Sequence, residues 1–91
     1  MEARVHVIVE GFVQGVGFRW FVARHAEARN LRGYVRNRVD GSVEVEAEGE
    51  KVLLEELLGQ LRTGPRSSIV EHLDVEWLPP GYAGGGFSIR D

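Results

Sequence analysis

The sequence contains no cysteine. That excludes a disulfide framework, thiolate metal sites and cysteine nucleophiles, and it fits a reducing cytoplasm. Lysine occurs once, at Lys51, so almost all positive charge is carried by arginine. No charged-then-apolar leader opens the chain, and no apolar run approaches the ~20 residues a helix needs to cross a bilayer. The expectation is a soluble, cytoplasmic protein without a membrane partner. A basic stripe is also missing, and the formal net charge is −3. Nucleic-acid modules usually carry such a stripe; nucleic acid is therefore not an expected partner, and an anionic ligand has to be caught by a local positive spot. The 91 residues with 43% hydrophobic content suffice for one core, so a single domain over 1–91 is expected.

Against these absences stands the run Gly11-Phe12-Val13-Gln14-Gly15-Val16-Gly17-Phe18-Arg19. It follows an alternating apolar segment, Val5, Val7 and Val9, and precedes a helical pattern. A strand thus enters a glycine-rich turn and a helix leaves it. Glycines let successive backbone N–H groups crowd inward into a nest for an anion. A helix start adds unpaired donors and the positive end of its dipole. Arg19 brings a planar, permanently charged fork suited to a phosphoryl group. An ordinary tight turn is the alternative reading of the glycines alone. A Walker loop is excluded, because no lysine follows the glycines. The dinucleotide fingerprint fails at Trp20, where it needs a third glycine. Any ligand here is small, a phosphoryl or carboxyl group.

Periodicity gives the rest of the frame. Ala3 to Glu10 reads as a half-buried strand, with Ile8 on the outer face. Phe18, Val22 and Ala26 mark a helix to about Arg29, ended near Asn30. Gly33 to Val39 reads as a second strand, and Asp40-Gly41 as a two-residue hairpin. Ser42 to Glu48 alternates, with Val43, Val45 and Ala47 inward and Glu44, Glu46 and Glu48 forming a solvated face. Leucines from Leu53 to Leu61 predict a helix over Glu50 to Arg62, closed by Gly64-Pro65. Ile69 to Leu78 reads as a fourth strand and Phe87 to Arg90 as a short last one. The order βαββαβ plus a small strand predicts an α+β, two-layer ferredoxin-like sandwich, an antiparallel sheet with both helices on one face.

One residue breaks its strand's pattern. Val35, Asn37 and Val39 share the core-facing side of the second strand, so Asn37 is an amide where a valine is expected. A buried amide without partners costs ~1–3 kcal/mol. Either it hydrogen-bonds the neighbouring glycine loop, or it presents one end to a ligand or a water. A carboxamide carries donors and an acceptor, so both are compatible. Arg36 and Arg38 point away from that face and are left out of the site.

These residues resemble a known family. Gly11 to Arg19 matches the acylphosphatase pattern G-x-V-Q-G-V-x-F-R, and Gly33-Tyr34-Val35-Arg36-Asn37 is similar to that family's second block, G-x-V-x-N. Asp40-Gly41, Gly49, Gly64-Pro65 and Phe87-Ser88-Ile89-Arg90 fall where the family places them. The resemblance spans essentially the whole chain. Departures are confined to turns: Asn30 where a glycine is common, and Arg66 where a second proline is frequent. It implies hydrolysis of the carboxyl-phosphate anhydride of acyl phosphates, without metal or cofactor. It implies Arg19 as the phosphoryl-binding catalytic residue and Asn37 as the one that orients water. Gln14, Gly15, Val16, Gly17 and Phe18 are then the substrate-binding loop, inorganic phosphate is a product inhibitor, and the protein is a monomer.

Other chemistry is thin. His6, His25 and His72 lack ligand spacing, so no metal site is expected. Ser67 and Ser68 lie outside a nucleophile elbow. Trp20 and Trp77 are read as packing residues, with a place at a substrate mouth as the other reading. The rival function is a non-catalytic phosphate- or carboxylate-binding regulatory module on the same fold, which has no need of Asn37. RNA recognition is disfavoured because Arg32-Gly33-Tyr34 continues without the required aromatics. A domain cut from a larger carbamoyl-transfer maturation protein is the third option, and the ending just after the last strand favours a free-standing enzyme.

Overall fold

The computed structural model describes residues 1–91. Its elements run β1 (Glu2–Phe12), α1 (Phe18–Glu27), β2 (Arg32–Asn37), β3 (Val43–Glu50), α2 (Lys51–Thr63), β4 (Ile69–Leu78) and β5 (Phe87–Arg90). One five-stranded sheet has the order β4-β1-β3-β2-β5. Both helices pack on the face carrying Val5, Val7, Val9, Val35, Val43 and Val45, all fully buried. Phe18, Val22 and Ala26 of α1 and Leu54, Leu57 and Leu61 of α2 close that core from the other side. Removing such a side chain from water stabilises by about 1.5–3 kcal/mol. The α+β sandwich expected from the pattern is therefore the observed one.

Three expectations need correction. First, the sheet is mixed: β5 pairs with β2 in parallel, Gly33 opposite Phe87 and Arg36 opposite Arg90, while all other pairs are antiparallel. The chain leaves β4 at one sheet edge and reaches the opposite edge before β5 begins. A crossing of the whole sheet, rather than a hairpin, sets that direction.

Second, β2 ends at Asn37, and Val39 is fully exposed. The connection to β3 is longer than two residues: Arg38 N–H donates to the Ser42 carbonyl at 2.9 Å and Gly41 N–H to the Arg38 carbonyl at 3.2 Å. The Asp40 carboxylate accepts from the Ser42 N–H and hydroxyl, a side-chain-stabilised turn.

Third, Glu44 and Glu48 are buried rather than solvated. Long side chains from both neighbouring strands lie over them. Arg36 and His6 pair with Glu44, and Arg32 pairs with Glu48 at 2.9 Å. Burying a carboxylate is costly unless it is paired and hydrogen-bonded, and these are.

Gly33 marks a place where no side chain fits. A Cβ there would sit 1.9 Å from the Glu46 carbonyl oxygen, so only glycine lets β2 approach β3 this closely.

Candidate active site

The segment between β1 and α1 forms one wall of a cavity of about 200 Å³. Gly15 and Gly17 both have positive φ, 75° and 78°, in the left-handed region that glycine enters without strain. Gly17 is also the residue that opens α1. The helix has no capping side chain and no acidic residue in its first turn. None of the N–H groups of Gly15, Val16, Gly17 and Phe18 donates to another group of the protein. The loop thus offers a row of unpaired donors at the positive end of a helix dipole.

Two side chains hold this loop in place. Phe18 is buried in the core and fixes the start of α1. Gln14 donates through Nε2 to the carbonyls of Arg38 at 2.7 Å and Ser42 at 2.9 Å, tying the loop to the β2–β3 turn. Its side chain is thereby committed to the protein. Neither Gln14 nor Val16 lines the cavity, whereas Gly15, Gly17, Phe18, Arg19 and Asn37 do. Val16 packs instead against the core.

Arg19, one residue into α1, is the only charged residue of the cavity wall. Its Nη1 donates to the Arg90 carbonyl at 3.1 Å, and the Asp91 carboxylate lies 3.9 Å away. One arm of the guanidinium is thus spent on orientation by β5. Asn37 faces the same cavity from the end of β2, and its carboxamide makes no hydrogen bond within the protein. Of the two ways to satisfy that amide, the bond to the glycine loop is therefore not made.

The remaining wall is apolar, with Trp20 and Ile89 largely exposed beside Arg19. Trp20 is not a packing residue: it is 60% exposed, with the Arg24 guanidinium 4.7 Å from its ring. Trp77 is 42% exposed and lies away from the cavity. The volume falls below the roughly 300–1,000 Å³ of sites for drug-sized ligands. A phosphoryl group and a water fit the scale.

Sequence reasoning missed the Arg90 carbonyl. A backbone acceptor leaves no signature in residue type, and only the parallel docking of β5 brings it to Arg19. The histidines stay apart: His6 pairs with Glu44, His25 packs on Phe21 at 4.5 Å between centroids, and His72 is exposed on β4.

Known proteins are similar to this chain in sequence and in fold. The acylphosphatase family profile matches residues 5–89. An acylphosphatase of Chlorobaculum tepidum is 55% identical over 75 residues, covering 82% of each chain. One from Salinibacter ruber is 46% identical over 89 residues, covering 98% of this chain and 94% of its own. The crystal structure of acylphosphatase from Bacillus subtilis superposes with a TM-score of 0.94 at 38% identity, over 100% of both chains.

Proposed function

This chain belongs to the acylphosphatase family, and from that premise we propose how its residues hydrolyse acyl phosphates. The N–H groups of Gly15, Gly17 and Phe18 and the free arm of Arg19 bind the phosphoryl oxygens. Asn37 accepts a hydrogen bond from a water through Oδ1 and holds it in line with the phosphorus–oxygen bond to the acyl group. The water oxygen bonds to phosphorus and the phosphorus–oxygen bond to the carboxylate breaks. That carboxylate leaves with the electron pair, and a phosphoryl oxygen takes the proton of the attacking water.

An acyl phosphate already carries a good leaving group, so the protein's contribution is positioning and charge stabilisation. Arginine and amides supply the second, and an amide too weak to act as a base still supplies the first. No step requires a metal or a cofactor. The observation that carries this reading is the convergence of Arg19, Asn37 and unpaired loop amides on one small cavity.

Inorganic phosphate, the product, occupies the same donors and inhibits competitively. The enzyme works as a monomeric single domain over 1–91, in the cytoplasm. No helix is long and apolar enough to cross a membrane. Hydrolysis of benzoyl phosphate in ¹⁸O-water tests the direction of attack. Label in the phosphate is expected, and label in the benzoate would overturn attack at phosphorus. Adding a chelator should leave the rate unchanged.

A further inference from the structure

We propose that Glu48, on the opposite face of the sheet from the cavity, is a positioning residue for Arg19, acting through the crossing segment and β5. The inference rests on Arg19 being the phosphoryl-binding residue. β5 is only four residues long, sits at the sheet edge, and exposes Ser88, Ile89 and Arg90. Such a strand has little hold of its own, yet its last carbonyl orients Arg19 at 3.1 Å. Something else has to seat it.

The segment 79–86 that delivers β5 has no helix or strand. Its anchor is the Glu48 carboxylate: Oε1 accepts the N–H groups of Gly81 at 2.7 Å and Tyr82 at 2.8 Å. Oε2 accepts from Arg32 Nη2 at 2.9 Å. Three donors thus close around a carboxylate that is 7% exposed. A charge removed from water this far marks a commitment to one conformation, since a loose crossing would leave it unpaired.

From that anchor the chain of contacts continues to the cavity. The Tyr82 hydroxyl accepts from Arg90 Nη2 at 3.2 Å, and the Arg90 guanidinium lies 4.0 Å over the Tyr34 ring. Gly33 N–H donates to the Gly86 carbonyl at 2.9 Å, which begins the β2–β5 pairing. Glu48 fixes Tyr82, Tyr82 and Tyr34 fix Arg90, and the Arg90 carbonyl fixes Arg19. Misplacing a binding group by an ångström is enough to cost up to two orders of magnitude in rate.

The test uses two variants of the whole chain, Glu48→Gln and Tyr82→Phe. The carboxamide of Glu48→Gln still accepts the two N–H groups but turns a donor-bearing nitrogen towards Arg32. KM for benzoyl phosphate and the inhibition constant of inorganic phosphate should each rise about tenfold, with kcat changing less than twofold. Repeating both substitutions in an Arg19→Ala background should add nothing to the phosphate shifts seen at the loop amides by NMR, because the residue they act through is gone.

Unchanged phosphate inhibition in both variants would overturn the inference, as would an equal loss in the Arg19→Ala background, even if the melting temperature fell. Should Glu48→Gln fail to fold, Tyr82→Phe, which loses only a hydroxyl, decides alone. Phosphate inhibition that survives Arg19→Ala itself would instead overturn the assignment of Arg19, a different failure.

Discussion

Both helices start without a capping side chain and without an acidic residue in the first turn, yet the two starts are finished differently. At α2 the Lys51 N–H donates to the Met1 carbonyl at 2.8 Å, and the Glu50 carboxylate pairs with the N-terminal ammonium. That start is tied to the residue that precedes β1, and none of its residues lines the Arg19 cavity. At α1 two glycines with positive φ lead into the helix, and nothing in the protein takes the N–H groups of Gly15 to Phe18. A helix N-terminus is therefore not a site by itself. It becomes a candidate where its donors are left over, where a guanidinium is set beside them, and where a second strand brings a polar group opposite.

The strongest way to break that contrast is to remove the charge. Arg19→Ala should lower kcat/KM for benzoyl phosphate by about 10³-fold, the upper scale for a charge-stabilising group in a site. Circular dichroism should show an intact fold, because this side chain holds only a carbonyl at the sheet edge and an exposed carboxylate. Arg19→Lys should not restore activity, since one point charge cannot both bond the Arg90 carbonyl and present a fork. Next in size, Asn37→Ala should lower kcat by about 10²-fold with little change in KM. Normal turnover in that variant would remove the water-orienting role.

A finer test separates the loop's shape from the fold's stability. Gly17→Ala places a Cβ in open space but forces a left-handed residue, costing about 1–2 kcal/mol. It should raise KM and lower the melting temperature by several degrees. Gly33→Ala, where the Cβ would strike the Glu46 carbonyl, should do the reverse and cost stability before affinity.

The smallest effect concerns pH. Burial pushes the Glu44 and Glu48 carboxyls up, but hydrogen bonds outweigh it and hold both below the ordinary value of 4.5: His6 and Arg36 for Glu44, the Tyr82 and Gly81 N–H groups and Arg32 for Glu48. A carboxyl lower in the folded than in the unfolded chain contributes stability that is complete above its unfolded value and is lost as pH falls below it. Melting temperature should fall between about pH 5 and 3, and Glu48→Gln should flatten that fall.

Much of the candidate site was legible in the sequence because its parts are exceptions to local patterns. Asn37 is an amide in a valine's place, and Gly15 and Gly17 interrupt what would otherwise pack. The inward face of the sheet was legible for the opposite reason: strict alternation of valines leaves no other side to bury. What stayed hidden depends on the chain's path. Glu44 and Glu48 alternate like a solvated face, and only the neighbouring strands' arginines and the crossing segment cover them. The parallel set of β5 and the Arg90 carbonyl at Arg19 follow from that crossing too. Gln14 lies in the glycine loop, but its side chain serves the β2–β3 turn, with a partner 24 residues away.

The most direct test titrates ¹⁵N-labelled protein with inorganic phosphate and follows the backbone amides at the two helix starts. The amides of Gly15, Val16, Gly17 and Phe18 should shift together with one binding constant, while those of Lys51 and Val52 stay still. Equal shifts at both helix starts, or none at Gly15 to Phe18, would contradict the assignment of the α1 start as the phosphoryl site.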